Sequence, residues 1–155
     1  MTQIKDFAPT HVSFMNSIAE IFPDLSQRES AVKEILTSLK EMSKRDGKER
    51  FLIIVEPGSR DSSRELAGLK EKFAENIILP CLDDRPCGAL KSPQDWCHEE
   101  ASCEFPDWLN GIGAAASLKK ESLLFSYSIA ASQPKRSFVE NYRVVSQRLE
   151  RKGQV

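Results

Sequence analysis

The run FLIIV, from Phe51 to Val55, limits the folds open to this chain more than any other stretch. Five consecutive apolar residues stopped by Glu56-Pro57-Gly58 read as a strand covered on both faces, because a strand with one wet face alternates apolar with polar. On either side the period changes to that of a helix. Val32, Ile35, Leu36, Leu39 and Met42 recur at helical spacing, so Glu29 to Lys44 reads as a helix body, capped by Asp24 or Ser26 and stopped at Asp46-Gly47. Ser59 to Glu75 reads as a second helix, with Leu66, Leu69, Phe73 and the stem of Lys70 on one side. Asn76 closes it before a third strand, Ile77-Ile78-Leu79.

Upstream, His11 to Phe22 opens like a buried strand and turns into a short amphipathic piece. Downstream, an irregular segment runs from Pro80 to about Pro106. Trp108 to Leu118 is a weak helix broken by Gly111 and Gly113, Leu123 to Ala130 a fourth strand, and Arg143 to Leu149 a fifth. Strand and helix in alternation imply right-handed crossovers and a mostly parallel sheet with helices on both faces. The closing strands predict an antiparallel edge. The expected fold is α/β, one domain over 155 residues.

Composition excludes several function classes. With 40% apolar and 29% charged residues the chain has the makeup of an ordinary globular protein. A net charge of −1 gives no general pull toward nucleic acid. No apolar stretch approaches the roughly 18 residues of a membrane span, so no membrane partner is expected. MTQIKDFAPTH has neither a signal-peptide nor a transit-peptide pattern, which makes a reducing, cytosol-like compartment the default.

Cys81, Cys87, Cys97 and Cys103 fall within 23 residues, and the other 132 residues have no cysteine. In a reducing compartment such clustering points to metal ligands or redox groups before structural disulfides. The bland alternative is that some are small buried apolar residues. Against it, Cys81, Cys87 and Cys97 sit among turn-formers and charges. Thiolates are soft, charged donors suited to iron and sulfide. The gaps of five and nine residues fit the C-x2-C knuckles of structural zinc poorly.

A nucleotide or adenosyl cofactor in an α/β sheet lies beside a Gly-rich first turn. Gly111 and Gly113 form a GIG, but no strand precedes them and they read as a loop. Nor does a strand that follows such a Gly-rich turn end in an acidic residue to bind a ribose. These residues alone do not build a complete adenosyl site. His11 and His98, the only histidines, have no nucleophile motif around them.

The block FLIIVEPGSRDSSRELAGLKEKF, with ILPCLDDRPCGALKSPQDWCHEE after it, resembles the Rsm-type methyltransferase-like proteins of the mitochondrial small ribosomal subunit and their bacterial relatives. The V-E-P-G strand end, the P-C-x5-C stretch and the W-C pair carry the likeness. Phe125-Ser126-Tyr127 and Arg151-Lys152-Gly153 follow in order, so it runs from about residue 12 to Val155. The resemblance implies a class I S-adenosylmethionine methyltransferase (Rossmann-like) sheet, of which this chain supplies the second half from the fourth strand onward, with a cysteine-containing insertion. The family's glycine-rich motif would precede residue 1, so the product is expected to be longer, split or truncated. S-adenosylmethionine is then expected only in a full-length form.

The resemblance also implies an iron–sulfur cluster, three of whose ligands match Cys81, Cys87 and Cys97. Zinc is the alternative metal. The family's fourth cysteine lies downstream of this chain's end, and Cys103 or His98 is the substitute. Asn16 and Ser17, ending the first strand, fall where such folds line a cofactor or substrate pocket; otherwise Asn16 caps the next turn. Glu56 would face the same crevice, or else accept hydrogen bonds from the start of the next helix.

The implied partner is the small ribosomal subunit or its RNA, in assembly or RNA methylation, in the cytoplasm of a bacterium or the mitochondrion of a eukaryote. This chain by itself is expected to be inactive. The competing reading is a non-catalytic iron–sulfur or zinc loop module that binds a protein or ribosomal surface. Exposed sheet edges would permit a homodimer.

Other features read blandly. Arg60, Arg64, Lys70 and Lys72, interleaved with Glu65, Glu71 and Glu75, have the pattern of a solvated helix face. Lys135-Arg136, Arg143, Arg148, Arg151 and Lys152 form a basic tail that could touch RNA phosphates. Trp96 and Trp108 are expected to cover the cysteine loop.

Overall fold

The structure is a computed structural model and describes residues 8–82, 85–118 and 121–134. Strand and helix alternate from the start: β1 (His11–Met15), the one-turn helix α1 (Ile18–Ile21), the long helix α2 (Leu25–Asp46), β2 (Phe51–Pro57) and α3 (Arg60–Glu71). A 3-10 turn (Ala74–Asn76) leads into β3 (Ile77–Leu79). After a long excursion come β4 (Glu99–Ser102), α4 (Asp107–Ala115) and β5 (Ser122–Ala131).

The sheet order is β1-β2-β5-β3, with β4 pairing to β5 off that path. β1 runs parallel to β2, from His11 opposite Phe51 to Met15 opposite Val55. β5 is antiparallel to β2, β3 and β4. The antiparallel strand anticipated at an edge is therefore interior, filling the gap that the β2-to-β3 crossover leaves when it steps over one strand width.

Both crossovers step across the sheet in the same direction. With right-handed connections, that puts α2 and α3 on one face. Their apolar stripes meet there: Val32, Ile35, Leu36, Leu39 and Met42 from α2 and Leu66 and Leu69 from α3 close over Leu52, Ile54, Ile77 and Ala130. The expectation of helices on both faces is not met among the described residues. Phe51, Ile53 and Val55 are only half-buried, although FLIIV is continuously apolar. β1 is likewise not a buried strand: among the described residues it pairs with β2 alone, and it alternates exposed and half-buried side chains.

Local signals set most ends. α2 stops at Gly47, whose φ of 71° is the left-handed conformation glycine takes without penalty, and its N–H reaches Ser43 O at 2.8 Å. Ser59 starts α3 by accepting the Ser62 N–H at 3.3 Å. α4 runs through Gly111 and Gly113 instead of breaking at them. β4 lies inside the segment read as irregular; EEAS has no apolar period, and the strand exists through its pairing with β5.

Arg50, 1% exposed, ties four chain segments together. Its guanidinium meets both Asp46 oxygens at 2.7 and 2.6 Å and donates to Pro9 O and Lys48 O at 3.0 and 3.1 Å. Its backbone N–H reaches Ser132 Oγ at 3.3 Å. This bidentate contact holds the Asp46 carboxyl well below the usual range. No helix among the described residues is long and apolar enough to cross a membrane. The expected fifth strand, Arg143 to Leu149, and the basic tail lie outside the described residues.

Candidate functional site: the cysteine loop on helix α3

β3 and β4 pair with successive stretches of β5, and the cysteine loop is the excursion between them. Leu79 faces Ile129, and the chain returns at Glu99 facing Phe125. The loop is held down by α3. Arg64 Nη1 donates to three loop carbonyls, Ala89 at 3.0 Å, Ser92 at 2.7 Å and Asp95 at 2.6 Å. Glu71 Oε1 accepts the Cys87 N–H at 2.7 Å. Lys70 is 8% exposed, with Nζ 3.9 Å from Cys81 Sγ. At the far side, Trp96 donates Nε1–H to Gly58 O at 3.2 Å and stacks on His98 with centroids 5.6 Å apart.

The sequence reading of a uniformly solvated face on α3 is therefore corrected. Arg60 and Lys72 are exposed, but Arg64 and Lys70 lie under the loop. Glu65 pairs with the buried Arg28 at 2.6 Å instead of within its own helix. Arg64, Ala67, Lys70 and Glu71 stand at i, i+3, i+6 and i+7, one stripe of the helix. That spacing was the available signal, but nothing in it announced a loop to receive the stripe. Neither tryptophan covers the loop: Trp96 is part of it, 38% exposed, and anchors it to Gly58 O, and Trp108 stands on α4, 67% exposed.

A cavity of about 260 Å³ opens between α3 and the loop, lined by Lys70, Glu71, Ile77, Cys81, Arg85 and Cys87 among others. It brings Cys81 and Cys87 together. Tyr127 on β5 feels the charge of both Cys97 and Cys81. Burial pushes the Tyr127 phenol above its ordinary value, and the Cys97 and Cys81 sulfurs push it the same way. None of the four cysteines is in a disulfide; Cys81, Cys87 and Cys97 are half-buried and Cys103 is exposed. Cys103 N–H bonds Glu121 O at 3.3 Å, six residues along β5 from Tyr127, which is roughly 20 Å of strand. The structure thus brings Cys81 and Cys87 to one cavity and sets Cys103 apart. No three His, Cys, Asp or Glu side chains among the described residues stand close enough to hold one metal ion. The three loop thiols are partly accessible, and Cys81 lies beside the buried Lys70; thiolates are the donor type that soft metals take.

Asn16, Ser17 and Glu56 do come together, at the carboxyl ends of β1 and β2. Asn16 is exposed with φ 52°, a conformation asparagine tolerates, and its N–H reaches Val55 O at 2.8 Å. Ser17 takes the N-cap position of α1 without a side-chain cap bond. Glu56 is buried on the helix-covered face and accepts the Ile18 N–H at 3.3 Å, so its donor is the start of the preceding helix α1 and not of the next helix. Burial pushes its carboxyl up, while the hydrogen bond from Ile18 and the charge of Arg28 pull it partly back. Ser126, opposite Glu56 in register, has a buried hydroxyl with no partner among the described residues.

Residues 12–155 match the model of a family described as mitochondrial small ribosomal subunit Rsm22. No curated protein and no solved structure matches the chain.

Proposed function

The chain belongs to the mitochondrial small ribosomal subunit Rsm22 family, and from that membership we propose that it attends the small ribosomal subunit, in assembly or RNA methylation, as the second half of a class I S-adenosylmethionine methyltransferase-type sheet. The topology supports the fold part of this reading. β1, β2 and β3 are parallel, joined by helical crossovers and closed by one antiparallel strand. The compartment that goes with it is the mitochondrion in a eukaryote and the cytoplasm in a bacterium.

Cys81, Cys87 and Cys97 would hold an iron–sulfur cluster, with zinc as the alternative and Cys103 or His98 as the fourth ligand. When bound, a cluster would cross-link the loop and supply a one-electron centre. The observation that carries this is the latch: Arg64 fastens the loop to α3 while Cys81 and Cys87 share one cavity. Iron, sulfide and zinc content of the chain purified without air, with its visible spectrum, test it. About four irons and four sulfides support a cubane cluster; zinc alone supports the structural alternative. No metal at all sinks both. A Cys103→Ser chain with full metal content removes Cys103 from the ligand set.

Asn16, Ser17 and Glu56 would contribute to an adenosyl pocket only in a longer form, and the chain alone would not transfer methyl groups. The competing reading, a non-catalytic loop module, is favoured by Glu56, whose carboxylate is engaged by the start of α1. Titration with S-adenosylmethionine in a calorimeter separates the two. Measurable affinity for this chain defeats the module reading, and detected methyl transfer defeats the inactivity.

A further inference from the structure

Between Glu99 and Phe125 the chain builds an arm. β4 and the first residues of β5 form an antiparallel ribbon, Glu99 opposite Phe125 and Ser102 opposite Ser122, further tied by a hydrogen bond between the Ser122 and Glu100 side chains. α4 lies at the far end of this ribbon, and none of its residues is buried. Trp108, Ile112 and Leu118 are 67%, 59% and 69% exposed, and Leu123 and Leu124 also lie open. Beside them runs a groove of about 530 Å³ whose apolar lining includes Phe105, Leu109, Ala114 and Leu118. None of these side chains joins the core cluster. Large apolar groups gathered on a projecting element mark a docking surface.

Charge says what docks. Residues 99–125 carry five carboxylates, Glu99, Glu100, Glu104, Asp107 and Glu121, against Lys119 and Lys120. A phosphate backbone would meet like charge here, and so would a second copy of the arm. We infer that the arm docks a basic polypeptide segment, its apolar side chains against Trp108, Ile112 and Leu118 and its lysines and arginines toward Asp107, which opens α4, and Glu104 just before it. This rests on the proposed association with the small subunit and deepens it: the arm meets a protein component there, not RNA.

The test uses the full chain and purified small subunits. A photoreactive benzoylphenylalanine at position 112 is expected to give an adduct that protease destroys and nuclease does not. The double variant Trp108→Asp, Ile112→Asp is expected to bind small subunits at least about tenfold more weakly, a loss of roughly 1.4 kcal/mol, with an unchanged melting temperature. Both residues are exposed, so the variant keeps its core. An RNA adduct, an adduct to a second copy of the chain, or unchanged affinity overturns the inference and leaves the parent reading standing. A wild-type chain that does not bind small subunits overturns both.

Discussion

Replacing Arg64 with methionine should release the cysteine loop without unfolding the body. Nη1 carries two hydrogens, so of the three carbonyls within 3.0 Å two are fully served and the third shares. Hydrogen bonds to a charged group contribute about 1.5–3 kcal/mol each. Arg64 is only half-buried and the freed carbonyls can take water, which favours the low end, about 3 kcal/mol for the pair. At about 1.4 kcal/mol per tenfold, opening of the loop becomes roughly a hundredfold more frequent. Amide hydrogen exchange reads this directly. Amides of residues 87–98 should exchange about a hundredfold faster, while those of Leu52 and Ile54 in β2 stay at the wild-type rate. Lysine at position 64 should restore only part of the protection, since one ammonium lacks the guanidinium's planar reach. The latch is refuted if loop amides are unmoved. It is refuted differently if loop and core amides accelerate together, which would make Arg64 part of the global fold.

Further expectations concern stability. Burial raises Glu56 above its unfolded value, so the folded state holds its proton longer, and stability falls as pH rises from the unfolded carboxyl value through the folded one. Glu56→Gln should remove that fall, and melting temperatures between pH 4 and pH 8 that keep the wild-type slope would contradict it. Asp46 has the opposite sign: its carboxyl is depressed, so its contribution is present at neutral pH and lost as pH drops through the folded value. Asp46→Asn should therefore be less stable than wild type at pH 7 and converge with it in strong acid, as followed by thermal melts. A Cβ at Gly58 would lie 2.6 Å from the Leu124 backbone carbon and 2.7 Å from Phe125 N. Gly58→Ala should thus cost about 1–3 kcal/mol in urea unfolding and shift Trp96 fluorescence. Leu39, 0% exposed, sits where α2 faces the sheet. Leu39→Ala should cost about 2–5 kcal/mol; a loss below 1 would mean that α2 does not pack as described.

The elements of the first eighty residues were legible because each is specified by neighbours a few positions away. The helical period of Val32, Ile35, Leu36 and Leu39, the stop at Asp46-Gly47 and the Ser59 cap all act within one or two turns. β4 was not legible: Glu99-Glu100-Ala101-Ser102 has no strand pattern, and its ladder is supplied by Leu123 to Phe125, more than twenty residues on. The same limit hid Arg64 and Lys70. Their charges predicted solvent, and only the fold shows that a loop covers them.

The sequence by itself determined the order of strands and helices, the place of the cysteine loop and the family to which the chain belongs. Tertiary structure alone decided that β5 enters between β2 and β3, that the helices crowd one face, and that Cys103 stands apart from Cys81. Local periodicity encodes which side of an element is apolar. Which partner that side meets, and which charges a loop buries, depends on contacts between residues far apart in the chain, and no short-range pattern records them.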